Sequence, residues 1–455
     1  MEPLRLFPRH EQPAAPANEM STGKSYLVWT IGCQMNEAES AKVEAMLAQV
    51  GYSRTEQEDQ ADVIVLNSCV VRQAAEDKVA GKIGSLLRAK RNNPDLKIAV
   101  TGCMVTGQEK SLRERFPHVD LFFDPSDFEK LETIVPELAE ADSDLAELPH
   151  FYQPIASDYR VTAHVPIIYG CNFVCSYCIV PYRRGREVSR PFDEIVEEVT
   201  RLGASGVKEV TLLGQTVNAY GHDLPDGRDL ADLLEAVNDV PGIQRVRFLT
   251  SHPKYFSDKL IHAIADLPKL CEHVNLPVQA GDNEVLRRMR RTYTHEHYRD
   301  RIEMIRATIP NVTLATDIIV GFPGETDEQF ANTMRLLEDI KFDKVHVAMY
   351  SPRPGTLSAR WEDDIPHEVK HARHQEIERL QEKVSLEYHQ QRVGTREEIL
   401  VDGYAKGRWR GRTRGNTLVF FDATGDWLGQ TVEVEITSAT TWYLLGEPVS
   451  VAALA

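Results

Sequence analysis

Three cysteines crowd one short stretch, Cys171-Asn-Phe-Val-Cys175-Ser-Tyr-Cys178, directly behind the apolar run VPIIYG. Thiolates at such spacing suit iron, and an electron-transfer cubane is normally held by four of them. Three fill three corners and leave one iron open, the condition of a metal position that binds substrate rather than one that only braces a fold. The plainer readings are a zinc knuckle or cysteines packed in a core. Zinc asks for four ligands, and no further Cys or His lies close by, so only Cys271 or a remote histidine completes that alternative.

Cys33, Cys69 and Cys103 form a looser set, 36 and 34 residues apart. What relates them is the element in front of each. SYLVWTIG, ADVIVLNS and KIAVTG read as strands that run straight into a cysteine, while NEAESAKVEAMLAQV and RQAAEDKVAGKIGSLLRAKRNN carry helical spacing between them. One βα unit per interval predicts a parallel sheet, because the helix must return the chain. All three cysteines then leave the same carboxyl edge, where open α/β sheets bind ligands. Three buried cysteines at strand ends is the alternative on spacing alone. Asn36 and Asn67 flank the set, as site residues or as polar caps.

Six further strand candidates follow: VPIIYG, EVTLLG, RVRFLT, HVNLPV, TLATDIIVG and KVHVAMY, parted by amphipathic helices such as FDEIVEEVTRL, NEVLRRMRR and DEQFANTMRLLEDI. Six βα units fall short of the eight that close a barrel, so an open, partial barrel is expected, with its chemistry at the carboxyl rim. HEVKHARHQEIERLQEKVSLEYHQQRV reads as a long surface helix around Ile377, Leu380 and Val384. From Thr395 the pattern becomes short strands, EEILVDGYA, NTLVFFD, QTVEVEITSA and WYLLGEPV, which make a small antiparallel β-barrel. The expected α/β organisation is a flexible leader over 1–22, an N-terminal open parallel βα domain over 23–145, a linker over 146–160, a partial (βα)6 barrel over 161–388 and the terminal barrel over 389–455.

Composition sets the limits. A chain of 455 residues, 42% hydrophobic, has room for several cores. Its net charge of −17 argues against indiscriminate coating of nucleic acid or anionic membrane, so RNA contact must come from local basic islands. No apolar run is long enough to span a membrane, and MEPLRLFPRHEQPAAPANEM is too broken by charge and proline for a signal peptide. A cytoplasmic protein without membrane contact is expected, in which an odd count of seven cysteines serves metal or redox chemistry rather than disulfides.

CNFVCSYC ahead of a partial βα barrel resembles the radical S-adenosylmethionine (SAM) superfamily, whose open iron chelates the amino and carboxylate groups of SAM. Within it, TIGCQMNEAES, VLNSCVVRQAAEDKV, TGCMV, CIVPYRRGREVSR, LLGQTVNAYG, LTSHP, HVNLPVQAGDNEVLRRMRRTYT, TDIIVGFPGET and AMYSPRPGT are similar to the methylthiotransferases, and the terminal barrel to a TRAM domain. Cys33-Gln-Met-Asn36 and Pro181-Tyr-Arg-Arg-Gly185 resemble the MiaB type, which modifies transfer RNA.

The resemblance implies two 4Fe-4S clusters, a SAM-binding one on Cys171, Cys175 and Cys178 and an auxiliary one on Cys33, Cys69 and Cys103 that carries the sulfur. It implies methylthiolation of carbon 2 of N6-isopentenyladenosine in a tRNA anticodon stem-loop, with two SAM consumed, an electron donor such as flavodoxin or ferredoxin, and a sulfur donor. A monomer is expected. The same chemistry on N6-threonylcarbamoyladenosine or on a ribosomal-protein aspartate is a close rival. A non-catalytic iron-sulfur redox or RNA-binding protein is a rival from another class.

The SAM pocket is expected at the rim. Tyr177 would lie against adenine or shield the cluster; Gly214 and Gln215 end the second barrel strand; Gln279 follows the fourth; Asp317 and Phe322 lie in and after the fifth. Gly321 and Gly324 equally bend the chain into a helix that Thr326 and Gln329 close with a capping box. Arg183, Arg184 and Arg186, with Arg288 in a second group, suit RNA phosphates where the rim meets substrate, against the ordinary reading of solvated helix faces. Lys406, Arg408, Arg410, Arg412 and Arg414 alternate around Trp409, which puts the charges on one side of a strand, with Tyr404 and Trp409 as stacking candidates. A charged edge that deters aggregation is the alternative. Cys271 reads as core.

Overall fold

Val63–Ser68 is buried along its whole length, as VIVLNS between two helical segments demands of a strand covered on both faces. In the computed structural model, which describes residues 22–69, 73–140 and 161–450, it is the middle strand of a five-stranded sheet. The strands are β1 (Ser25–Ile31), β2 (Ser53–Arg54), β3 (Val63–Ser68), β4 (Lys97–Gly102) and β5 (Leu121–Phe122), in the order β2-β1-β3-β4-β5, all parallel. The two-residue strands β2 and β5 are additions to the three expected. Each is too short to show alternation in sequence. Helices α1 (Gln34–Gln49) and α2 (Gln73–Asn92) make the crossovers. The leader, apart from Thr22, and the linker over 146–160 lie outside the described residues.

The second unit carries six parallel strands in two hydrogen-bonded groups. β6 (Thr162–Tyr169), β8 (Glu209–Gly214) and β9 (Arg245–Phe248) form one, edged by the antiparallel β7 (Val188–Ser189); β10 (His273–Asn275), β11 (Thr313–Val320) and β12 (Lys344–Met349) form the other. The fourth strand stops at Asn275, short of the expected HVNLPV, because Pro277 has no N–H to give the ladder. The chain stays alongside β11 even so, through an isolated bridge between Gln279 and Ile318. Thr326 and Gln329 do make the capping box. The helix His367–Gln391 buries Lys370, Arg373, Ile377, Gln381 and Val384 along one stripe, so its inner face is half polar. Gln381 donates to the carbonyls of Phe342 and Asp343, and Arg373 pairs with Glu325 at 2.8 Å.

The terminal unit is a closed barrel of β13 (Arg396–Ala405), β14 (Arg408–Thr413), β15 (Leu418–Phe421), β16 (Thr431–Ala439) and β17 (Leu444–Ser450). Four of its pairings are antiparallel, and β15 against β17 is parallel. It docks under the amino ends of the central strands. Arg245 Nη1 donates to the Arg412 carbonyl at 2.7 Å, Arg247 Nη1 and Nη2 to the carbonyls of Arg414 and Thr413 at 2.6 and 2.9 Å, and Thr313 Oγ1 to the Gly415 carbonyl at 2.9 Å. The N-terminal unit meets the opposite, carboxyl end: Met35 and Ala38 of α1 share an apolar cluster with Leu213, and Tyr169 and Leu249 pack on it.

Candidate active site

The register of the first sheet gathers the distant cysteines. Ile31 pairs with Ser68 and Ser68 with Gly102. Cys69 and Cys103 therefore leave neighbouring strands side by side, and Cys33 leaves β1 at the same edge. Gly102, at φ 96°, lies where a Cβ would come within 2.3 Å of the Ser68 carbonyl oxygen, so the close approach before Cys103 needs glycine.

A buried polar relay surrounds these thiols. Cys33 Sγ lies 3.4 Å from Asn36 Oδ1, which also accepts from the Cys33 N–H at 3.3 Å. Asn36 Nδ2 donates to Asn67 Oδ1 at 2.9 Å, Asn67 Nδ2 donates to the Asn36 carbonyl at 2.8 Å, and both amides reach Glu39 Oε2 at 3.3 Å. Glu39 Oε1 accepts from Arg184 Nη1 at 2.7 Å, and Arg184 Nε donates to Cys103 Sγ at 3.1 Å. Burial pushes the Cys103 thiol above its ordinary value, against the pull of Arg184. Arg184, expected at the RNA surface, is thus turned inward between the two α/β units. Glu39 was not singled out in the sequence. Its signal is Asn36, Glu39 and Ser40 at helical spacing, a polar face on a helix that must pack.

The tight triplet follows β6. Gly170, at φ 74°, fits against the Arg186 carbonyl, and Cys171 N–H donates to the Gly185 carbonyl at 3.1 Å. Asn172 donates to the Glu187 carboxylate through N–H and Nδ2 at 3.1 and 2.8 Å and accepts from the Glu187 N–H at 3.3 Å, which staples the loop to the strand behind it. From the other side Ser176 donates through N–H and Oγ to the carbonyls of Met289 and Arg288. Thr216 Oγ1 sits 3.3 Å from Cys171 Sγ, and Arg291 Nη1 sits 3.4 Å from Cys175 Sγ. Burial pushes the Cys178 thiol up to about 12. Phe173 stacks on His252 with centroids 3.7 Å apart, and Asn218 holds His252 by its backbone N–H and carbonyl. Burial, with Arg291 nearby, pushes His252 down to about 2, so it is a neutral aromatic plate. This explains why LLGQTVNAYG and LTSHP belong together: one braces the other under the cysteine loop.

The two cysteine sets border one apolar cluster. Ile179, next to Cys178, is buried in the same apolar cluster as Cys103. Among the described residues no three His, Cys, Asp or Glu side chains converge tightly enough for a single metal ion. A cubane spreads its thiolates over separate irons and asks for a wider set. The residues fit such groups: each set is all thiol, each has a guanidinium on one sulfur, and Arg184 Nη2 and Gln215 Oε1 are buried polar atoms without a hydrogen-bond partner.

Of the expected cosubstrate residues, Tyr177, Gln215 and Gln279 lie half-buried beyond strand ends, and Asp317 lies half-buried within β11. Gln279 is held at φ 77° by its bonds across to β11, which aims its side chain out of the ladder direction. Gly214 is buried and packed on Ile168, leaving no room for a Cβ. Phe322 is a correction: it is fully buried, edge-on to Tyr177, Tyr350 and Trp361, and so supports Tyr177 from behind rather than offering itself to a ligand.

The basic residues divide. Arg186 is exposed, while Arg183 reaches the Thr106 carbonyl at 2.6 Å and joins the units. Arg288 lies over the Phe322 ring and lines a cavity of about 370 Å³ with Pro323, Gly324, Trp361, Glu362 and Asp364. On β14, Arg410 and Arg412 face Asp402, and Arg412 also donates to the Asn416 carbonyl. Arg414 is committed to Glu272 at the docking face. Alternation turns Trp409 to the opposite side, onto the barrel core and edge-on to Tyr404. Tyr404 and Lys406 are exposed at the hairpin tip, with Arg408 beside them paired to Asp422. Cys271 is buried at the amino end of β10, away from the rim.

Three family descriptions match the chain: the Radical SAM superfamily over residues 165–337, Uncharacterized protein family UPF0004 over 25–124, and the TRAM domain over 390–449. Proteins described as tRNA-2-methylthio-N(6)-dimethylallyladenosine synthase are similar over nearly its whole length. That of Herpetosiphon aurantiacus is 50% identical over 429 residues, 92% of this chain and 96% of its own. That of Chloroflexus aurantiacus is 47% identical over 444 residues, 96% and 94% of the two chains. That of Dictyoglomus thermophilum is 47% identical over 432 residues, 93% and 98%. Among solved structures, the radical S-adenosylmethionine methyltransferase TsrM from Kitasatospora setae aligns with a TM-score of 0.54 at 13% identity, covering 85% of this chain and 80% of that one. The cobalamin-dependent radical enzyme OxsB aligns with a TM-score of 0.50 at 12% identity, covering 74% and 54%. At such identities these two likenesses are of fold.

Proposed function

The chain belongs to the radical SAM methylthiotransferases, among the tRNA-2-methylthio-N(6)-dimethylallyladenosine synthases, and from that membership we propose how its own residues divide the work. The protein is an enzyme that methylthiolates N6-isopentenyladenosine in tRNA, with SAM and 4Fe-4S clusters as cofactors. Cys171, Cys175 and Cys178 hold the SAM-binding cluster, and Cys33, Cys69 and Cys103 hold the auxiliary one. Bound there, the clusters would supply one-electron reductive cleavage of SAM and the sulfur that replaces the hydrogen at carbon 2. Radical chemistry is needed because an aromatic C–H is no adequate acid for a side-chain base at neutral pH.

The residues then have distinct tasks. Thr216 and Arg291 steady two thiolates of the first cluster, and the Phe173–His252 stack keeps water from beneath its loop. Tyr177, Gln215, Gln279 and Asp317 orient the cosubstrate. Arg186 and Arg288 face the RNA at the rim, and Tyr404, Lys406 and Arg408 grip it at the hairpin tip. Flavodoxin or ferredoxin delivers the electron, a separate donor restores the sulfur, and the enzyme works as a cytoplasmic monomer; no described helix is long and apolar enough to cross a membrane. The domains run over 23–145, 161–388 and 389–455.

The observation that carries this reading is the meeting of the two cysteine sets: Ile179, bonded to Cys178, packs in one cluster with Cys103. A nucleoside at that junction lies within reach of both centres. The test is reconstituted protein with SAM, dithionite and an anticodon stem-loop carrying isopentenyladenosine, followed by nucleoside mass spectrometry. Methylthio-isopentenyladenosine together with 5'-deoxyadenosine is expected. Absence of 5'-deoxyadenosine overturns the enzyme reading. Cleavage of SAM with product only on a threonylcarbamoyladenosine substrate overturns the choice of base.

A further inference from the structure

Arg184 ends the short helix Val180–Arg184, which begins two residues after Cys178. Its side chain leaves the cysteine triplet that precedes it in sequence and crosses to the other set, where Nε lies 3.1 Å from Cys103 Sγ. The Arg184 side chain is 8% exposed and that of its partner Glu39 3% exposed. Burying this pair is costly unless the remaining donors and acceptors are met. Glu39 meets its share through Asn36 and Asn67. Arg184 does not: Nη2 is buried with no partner. A planar fork in which one arm is held by a carboxylate, one touches a thiol and one is left over is built to serve an anion at that thiol.

We propose that Arg184 is a positioning residue for the auxiliary centre: clamped by Glu39, it donates to the Cys103 thiolate and to a sulfur anion of the bound cluster, and so raises that centre's reduction potential. The inference rests on the assignment of Cys33, Cys69 and Cys103 to that centre. Its physical ground is that reduction adds negative charge, which a nearby cation and a hydrogen bond to sulfur stabilise more than they stabilise the oxidised form. A second consequence follows from where Arg184 is anchored. The donor comes from the central unit, so the auxiliary centre is completed only when the two units are docked, and its electronic state is tied to the placement of the helix behind Cys178.

The experiment uses the full-length protein, reconstituted anaerobically, with iron analysis and a redox titration followed by electron paramagnetic resonance. Wild type should hold about eight irons, four per cluster. Arg184→Gln should keep the SAM-cluster signal and its potential and move the auxiliary potential lower; Arg184→Lys, which restores charge without the fork, should fall between. An auxiliary potential unmoved in Arg184→Gln, with the cluster retained, overturns the inference. If that variant sheds the auxiliary irons, Glu39→Gln decides: the amide oxygen still accepts from Arg184 Nη1 and keeps the fork on Cys103, but the neutralising negative charge is gone, so the potential should rise, and no rise overturns the inference. Wild type with about four irons overturns the site assignment beneath it, a different failure.

Discussion

Asn36 Nδ2 donates to Asn67 Oδ1 at 2.9 Å, and the Asn67 amide returns a bond to the Asn36 carbonyl at 2.8 Å. This reciprocal pair fastens the first turn of α1 to the end of β3, and both side chains are almost wholly buried. Replacing Asn67 with Leu keeps the volume but takes one acceptor from Asn36 Nδ2 and one donor from Glu39 Oε2. Unmet hydrogen-bonding capacity in buried polar groups costs about 1–3 kcal/mol. Asn67→Leu should lower stability by that order in urea denaturation and lose auxiliary iron, while reductive SAM cleavage by the other centre persists. Full retention of all irons would show that the relay is only a cap.

Two glycines give a sharper contrast. At Gly102 an added Cβ meets the Ser68 carbonyl at 2.3 Å and the Asn67 Oδ1 at 2.5 Å, at φ 96°. Gly81, in α2, has nothing within 4 Å of that position. Gly102→Ala should destabilise by roughly 1–3 kcal/mol through backbone strain, and Gly81→Ala should stabilise by about 0.5–1 kcal/mol through helix propensity. Thermal melts of the two variants beside wild type should move in opposite directions.

What could be read from the sequence follows from range. The strands before Cys33, Cys69 and Cys103 are local apolar runs, and one parallel pairing rule places their ends together. The strands β2 and β5 could not be read, since two residues show no period. The arginines divide in the same way. Their charge was legible, but not which would be drawn inward, because Arg184 is committed by Glu39, 145 residues away, Arg412 by Asp402 on the facing strand, and Arg414 by Glu272 at a docking face that exists only after folding. Phe322 was placed correctly at the rim of β11, but only the packing of Tyr350 and Trp361 shows that it is sealed.

The two cysteine sets should fail separately. Cys175→Ala removes a thiol of the set proposed to hold the SAM-binding cluster and should abolish 5'-deoxyadenosine formation. Cys69→Ala leaves that set intact and should retain some cleavage while stopping methylthiolation. Chromatography of 5'-deoxyadenosine alongside nucleoside mass spectrometry measures both. Complete loss of cleavage in each variant, with the first cluster spectroscopically intact, contradicts the division.

Lys42 on α1 offers a test by pH. Burial, with Arg190 adding to it, pushes this lysine down to about 8 from an ordinary 10.5. Between those values the unfolded chain binds more protons than the folded one, so the lysine's contribution to stability rises with pH across that window and is flat below it. Lys42→Met should remove the rise. The measurement is the difference in urea midpoint between wild type and variant from pH 7 to 10, which should narrow as pH increases; a constant difference contradicts the assignment.

The basic residues at the terminal barrel's two ends should respond differently to salt. Arg414 of the barrel and Arg247 of β9 are spent on docking: Arg247 holds the carbonyls of Thr413 and Arg414, and Arg414 holds Glu272. Lys406 and Arg408 stand at the other end of the β13–β14 hairpin, beside exposed Tyr404. Removing one cation from a phosphate lowers the slope of log affinity against log salt by about 0.7–0.9. Lys406→Ala with Arg408→Ala should therefore weaken tRNA binding at low salt and flatten its salt dependence, with the melting temperature unchanged. Arg247→Met should do the reverse, lowering the melting temperature through loss of docking while the salt slope of the folded protein is kept. Binding isotherms at several salt concentrations, paired with thermal melts of the same samples, separate the two; an unaltered slope in the hairpin double variant would remove the barrel tip from the RNA interface.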